Sequence, residues 1–269
     1  MPVVVMLHGC KQTPDDFAMG TRMNEHARRN GVAVVYPAQS RLHNPSGCWN
    51  WFQPSDQQRD HGEPAIIAEL TRELLRTQPF DAERVYIAGL SAGGAMATIL
   101  SAAYPELYAA VGVHSGVPQG IAVGLASALA AMRDGRAQPV EARAKNESTP
   151  VHARGQPVIV FHGDADTTVN PRNAAEVYLR SVPGPGSGGA SNSAAIRETV
   201  ETLVVPDGRR YTRTAWVQAD GLVIAELWVV HGAGHAWSGG DPRGSYTDPK
   251  GPDASAEMLR FFLSHARRA

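Results

Sequence analysis

Cysteine is nearly absent, with two residues, Cys10 and Cys48, in a chain of 269. Two thiols cannot staple a domain of this size, which excludes a disulfide scaffold. They leave either one bridge or two buried thiols. Long apolar runs are also missing. Residues 3–7 and 158–161 fall far short of the ~20 residues needed to cross a bilayer, so no membrane span is expected. Residues 1–9 lack a basic start followed by a long apolar core, and no signal peptide is visible. Neither sign of charge dominates: 25 basic side chains face 26 acidic ones with no basic block, which argues against nucleic acid as a partner. No histidine pair has metal spacing such as His-Glu-x-x-His, so we expect no metal, and no cofactor motif is found.

What is present suffices for one large domain, since a chain this long can bury about three quarters of its unfolded surface. Its organising stretch is Ile87-Ala88-Gly89-Leu90-Ser91-Ala92-Gly93-Gly94. A β-branched run enters Gly-x-Ser-x-Gly, and an alanine-rich segment follows at once, predicting strand, tight turn and helix. Ser91 then sits at a strained apex that only small neighbours permit, with the Ala92 amide and the positive helix end beside it.

The same alternation runs through the chain. Buried parallel strands are predicted at residues 3–7, 32–36, 84–88, 109–113 and 158–161, with helices at 13–29, 63–78, 92–104, 173–181 and 254–266. In the 63–78 helix, Ile66, Ile67, Leu70, Leu74 and Leu75 recur at helical spacing. Residues 211–218 and 225–230 read as strands joined through Asp220-Gly221. A loop over 37–62 carries Trp49, Trp51 and Phe52 and reads equally as a binding rim or a hydrophobic plug. Residues 116–156 read as a surface insertion with one short helix, and 183–193 as a low-complexity loop. The expected fold is α/β: a single domain over 1–269, a mostly parallel sheet flanked by helices on both faces, and no large separate cap. The chain opens directly on a strand, and we expect lead-in strands to precede it.

A serine hydroxyl needs a base, itself oriented by a carboxylate, and in such a sheet both should come from loops at the carboxyl ends of later strands. The loop after Phe161 offers Asp164 and Asp166; the loop after Val230 offers His231 and His235. The chain order Ser, Asp, His is that of α/β-hydrolases. Asp164, nearest the strand end, suits a turn cap. Asp166 lies farther along, within reach of a histidine, and is preferred. His235, in a glycine-rich loop, is preferred as base over His231, which reads as buried at a strand end. His8 and His162 read as structural residues that orient loops through backbone contacts. His26, His43, His61, His114, His152 and His265 have no catalytic context. The second oxyanion donor should lie in the loop after the first strand, where the Cys10 amide is the choice.

Assembled, these pieces resemble the polyhydroxybutyrate depolymerase and feruloyl-esterase-like branch of the α/β-hydrolases. The matching residues are Leu7-His8-Gly9-Cys10 with Gln12, Cys48-Trp49-Asn50-Trp51-Phe52, Gly89-Leu90-Ser91-Ala92-Gly93-Gly94, His162-Gly163-Asp164-Ala165-Asp166 with Val169, and Gly234-His235-Ala236-Trp237-Ser238-Gly239-Gly240. The resemblance implies a secreted serine esterase, extracellular or periplasmic, that cleaves short-chain polyester or hydroxyacid ester bonds through an acyl-enzyme. Ser91 would be the nucleophile, Asp166 the acid and His235 the base, with the Cys10 and Ala92 amides as oxyanion hole. It also implies a bridge between Cys10 and Cys48, worth about 3–4 kcal/mol in the chain-entropy account. Trp49, Trp51, Phe52, Trp237 and Val169 would line the mouth of the site and bind substrate. We expect a monomer acting on an ester or polyester. Feruloyl or other aryl and alkyl esters, a peptidase of prolyl-oligopeptidase type and a non-catalytic hydrolase-fold binding protein are the competing readings.

Overall fold

Apolar runs that can bury both faces set the centre of the sheet. In the computed structural model, which describes residues 1–135, 156–182 and 197–267, they form β1 (Val3–Leu7), β3 (Val85–Leu90), β4 (Ala110–His114) and β5 (Val158–Gly163). Every residue of these four strands is buried. Alternate side chains point to opposite faces of a strand. Val3, Val5 and Leu7 therefore enter one apolar layer, and Val4 and Met6 the other.

The remaining strands of the sheet are β2 (Ala33–Val35), β6 (Arg197–Val204), β7 (Arg210–Val217) and β8 (Val223–Val230). The sheet has eight strands in the order β2-β1-β3-β4-β5-β8-β7-β6, parallel from β2 to β8, with β7 and β6 antiparallel at one edge. Helices cover both faces. Residues of α3 (Gly62–Thr77), α4 (Ala92–Ala103), α5 (Leu125–Asp134) and α6 (Arg172–Ser181) join one layer. Those of α1 (Pro14–Thr21), α2 (Met23–Asn30) and α7 (Ala254–Leu263) join the other. Close packing reaches the backbone: a Cβ on Gly112 would lie 2.8 Å from Met258 Sδ and 2.9 Å from Phe262 Cζ of α7. A small parallel pair, β9 (Trp237–Ser238) and β10 (Thr247–Asp248), stands apart from the sheet. Among the described residues no helix is long and apolar enough to cross a membrane.

Several expectations need correction. The single helix over 13–29 is two helices, broken at Arg22, whose φ of 56° is left-handed; Thr13 does cap the first, accepting from Asp16 N at 3.2 Å. Strand β2 is half-buried because it forms an edge of the sheet, not its interior. In α3 the buried residues are Pro64, Ile67, Ala68 and Thr71, an i, i+3, i+4, i+7 stripe, while Ile66 and Leu70 face solvent. Helical spacing of apolar residues thus marks the helix correctly, but Ile66 and Leu70 lie off its buried stripe. Strand β6 was not anticipated. Its Glu and Thr residues leave it nearly all exposed, so it exists through its eight-residue pairing with β7 and not through burial. The loop over 37–62 holds a short 3₁₀ turn at Pro54–Gln57. The 116–156 stretch is not all surface, since Val117, Ile121 and Ala122 are buried ahead of its short helix α5; its residues 136–155, and the low-complexity 183–193, lie outside the described residues.

Candidate active site

Ser91 stands between β3 and α4 with φ 56° and ψ −118°, a conformation that costs a non-glycine residue about 1–3 kcal/mol. The surroundings enforce it. A Cβ on Gly89 would come within 2.3 Å of Gly93 C, and one on Gly93 within 2.0 Å of Leu7 O. The turn is thus as tight as the spacing of its glycines predicts. The Ser91 amide donates to His114 O at 2.9 Å, which fixes the elbow to β4.

The loop after β1 lies against this elbow, since a Cβ on Gly9 would be 3.6 Å from Ser91 Cβ. Its Cys10 is joined to Cys48 by a disulfide, with a Cα–Cα distance of 4.2 Å. The Cys10 and Ala92 N–H groups donate to no other described residue. Ala92 opens α4, where the helix dipole favours negative charge. The Gly9 amide is taken up by Gln12 Oε1 at 2.9 Å.

Asp166 and His235 meet across the loops after β5 and β8, with His235 Nδ1 2.7 Å from Asp166 Oδ2. A carboxylate can only accept, so His235 carries its proton on Nδ1 and leaves Nε2 unprotonated, with no hydrogen-bond partner among the described residues. Asp166 Oδ1 accepts from Thr168 N at 2.8 Å and Val169 N at 2.9 Å. A second imidazole attends it, His162, whose Nε2 lies 3.3 Å from Asp166 Oδ2 and donates to Val169 O at 2.8 Å. Burial opposes the charge on Asp166, but His162, His235 and the Val169 amide outweigh it and hold the carboxyl well below the usual carboxylate range.

The other acid and base candidates also pair. Asp164 accepts from Gly232 N at 2.6 Å and from His231 Nδ1 at 2.8 Å, while His231 Nε2 meets Thr212 Oγ1 at 2.9 Å. Contrary to expectation, His231 is half-exposed, because its strand end opens on the loop and not on the core.

His8 and His114 are neutral by geometry. His8 Nδ1 donates to Gly9 O at 2.8 Å while its Nε2 accepts from Gln39 N at 3.2 Å. His114 Nε2 accepts from Ser238 N at 2.9 Å. Burial lowers both below the ordinary histidine value, and for His114 the nearby His162 and His235 add to the effect. His114 was assigned no part by the sequence. Its place at the end of β4, followed by Ser115-Gly116, parallels His8-Gly9 and His162-Gly163, and that repeated strand-end histidine is the signal that could have singled it out.

The residues proposed to line the mouth are placed differently. Trp237 is 1% exposed, stacked on His114 at 5.1 Å, edge-on to Phe17, and its indole donates to Ser255 Oγ. It is core, held there by β9. Val169 is buried and serves Asp166 through its backbone. Trp49 and Trp51 are buried as well, Trp49 donating to His8 O at 3.0 Å, which makes the loop more plug than rim. Phe52 alone of these aromatics keeps part of its surface open. Tyr246, exposed and edge-on to the His235 ring at 6.4 Å, was missed; it lies in the 239–253 stretch, whose structure depends on contacts with α1 and β9. Among the described residues no group of three or more His, Cys, Asp or Glu is placed to hold a metal ion.

The chain is similar to known esterases in sequence and in fold. Residues 1–202 match the family described as esterase PHB depolymerase. The chain is 28% identical over 237 residues to the poly(3-hydroxyalkanoate) depolymerase C of Paucimonas lemoignei, covering 87% of this chain and 54% of that protein. It is 31% identical over 184 residues to the feruloyl esterase B of Thermothelomyces thermophilus, covering 65% and 62%. The chain thus spans only part of the length of these curated relatives. Among solved structures, an acetyl xylan esterase from Aspergillus awamori superposes with a TM-score of 0.69 at 20% identity, covering 98% of this chain and 89% of that one, so the two share a fold. That fold is the α/β-hydrolase fold, and with residues 1–202 matched the chain belongs to the PHB depolymerase esterase family.

Proposed function

We propose that the protein is a carboxylic-ester hydrolase that works through a Ser91 acyl-enzyme. The observation that carries the reading is the 2.7 Å contact between His235 Nδ1 and the buried Asp166 carboxylate. In the proposed reaction His235 Nε2 takes the Ser91 proton as Oγ attacks the ester carbonyl. The oxyanion is received by the Cys10 and Ala92 amides. Collapse breaks the ester C–O bond, and His235 returns the proton to the departing alkoxide. Water, activated by the same imidazole, then releases the acid and regenerates Ser91.

For substrate we propose short-chain hydroxyalkanoate esters, as polyester segments or oligomers. The depolymerase relative, which aligns over 87% of this chain, supports that choice. A second reading, a feruloyl or other aryl ester, is supported by the 31% identity to a feruloyl esterase. The disulfide between Cys10 and Cys48 supports action outside the reducing cytosol.

The test is p-nitrophenyl butyrate hydrolysis by the parent and by Ser91→Ala, with a serine-directed phosphonate as label. We expect a loss of about 10³-fold or more and labelling at Ser91 alone. Comparable turnover in the variant would sink the proposal. Products from hydroxybutyrate oligomers and methyl ferulate then decide between the two substrate readings.

A further inference from the structure

Gln12 belongs to the His8-Gly9-Cys10 stretch by sequence, yet the proposed reaction gives it no task. The side chain is buried, and both ends of its amide are engaged. Oε1 accepts from Gly9 N at 2.9 Å. Nε2 donates to Ser245 O at 3.1 Å, to Asp16 Oδ2 at 3.2 Å and to Ser245 Oγ at 3.3 Å. The main chain closes the same turn, Gln12 N donating to Gly9 O at 3.3 Å, across a Lys11 with φ 66°.

We propose that Gln12 is a positioning residue for the oxyanion-binding amide of Cys10, which it aims by pinning the Gly9 N–H just before the Gly9–Cys10 peptide with one end of its amide and anchoring to the Asp16–Ser245 pair with the other. This rests on the esterase reading above. Glycine has the freest backbone, and an unpinned Gly9 would let the following peptide rotate. With Gly9 N–H taken by Gln12 Oε1, Lys11 N by Ser46 O and Gln12 N by Gly9 O, the amide of this turn left without a partner among the described residues is that of Cys10. Its far anchor is tied down in turn: Asp16 Oδ1 accepts from Ser245 N at 2.9 Å. Ser245 directly precedes Tyr246, whose ring lies against His235. One buried amide thus links the two loops that would have to keep register, that of the oxyanion donor and that flanking the base.

The experiment compares the parent with Gln12→Leu, Asp16→Ala and Ser91→Ala. It measures kcat and KM for p-nitrophenyl butyrate, affinity for an alkylboronic acid, and hydrogen exchange of the Gly9 amide. The boronate forms a tetrahedral anion on Ser91 Oγ and so reports on the oxyanion site without turnover. For Gln12→Leu we expect kcat to fall about 10²-fold with KM within about twofold. Boronate affinity should fall by a similar factor, and Gly9 should lose exchange protection. Asp16→Ala should move the same quantities the same way by about tenfold, and it stands in if Gln12→Leu does not fold. If Ser91→Ala is inactive while the Gln12 and Asp16 variants keep parental kcat and boronate affinity, the positioning role is overturned and the esterase reading survives. If the parent does not hydrolyse the ester, or Ser91→Ala still does, both are overturned.

Discussion

Two aspartate–histidine pairs bridge the same two loops, two residues apart in one and four in the other, with nearly equal separations of 2.7 Å for Asp166 with His235 and 2.8 Å for Asp164 with His231. Their surroundings differ. The Asp166 side chain is 0% exposed and Asp164 41%; His235 is 11% and His231 27%. Asp166 also receives two backbone amides and lies beside a second imidazole, whereas Asp164 receives one amide. The free nitrogens differ most. His231 Nε2 is occupied by Thr212, while His235 Nε2 has no hydrogen-bond partner among the described residues. Contact distance does not tell the pairs apart. Exclusion of water and an unspent lone pair do.

The largest expected effect separates the pairs by activity. Asp166→Asn should lower kcat by about 10⁴-fold, because an amide there no longer holds the His235 tautomer. Asp164→Asn should cost less than about tenfold. Equal losses in steady-state turnover would mean that the two pairs do not differ in function.

A smaller effect concerns acid stability. Both carboxyls are held below the range they would have in the unfolded chain, so each stabilises the fold above about pH 4 to 5, and that contribution fades as acid drives protonation toward the folded pKa. Asp166 is held much lower, so its contribution fades over a wider span of acid. Denaturant melts between about pH 6 and 3 should show a flatter decline for Asp166→Asn than for the parent. For Asp164→Asn the curve should stay close to the parental one. The reverse order would show that the exposed pair carries the acid sensitivity.

The smallest effect lies in salt. The exposed pair should contribute less than about 1 kcal/mol to stability. Asp164→Asn should therefore shift the melting temperature slightly at low ionic strength, and the shift should vanish as salt rises. Persistence in concentrated salt would mean that its desolvation has been underrated.

The comparison also shows where sequence reading stops. Asp166 could be preferred over Asp164 because it lies farther along its loop, but nothing local revealed that His162 would reach it, or that Val169 would serve through its backbone. Trp237 looks like a rim aromatic because Gly-His-Ala-Trp reads as open loop. It became core once β9 paired with β10 and Phe17 of α1 closed over it. Strand β6 has no buried face to betray it, whereas β1, β3, β4 and β5 announce themselves by continuous apolar runs.

The order of motifs, the strained elbow and the parallel core are local consequences of side-chain size and branching, and these the chain declares residue by residue. Gly89 and Gly93 must be small for Ser91 to sit where it does, whatever lies elsewhere. Which aspartate is dry, which imidazole keeps a free nitrogen and which tryptophans are covered depend on segments far apart in the chain packing over one another. Burial and hydrogen-bond partnership are properties of that packing, and only the tertiary structure decides them.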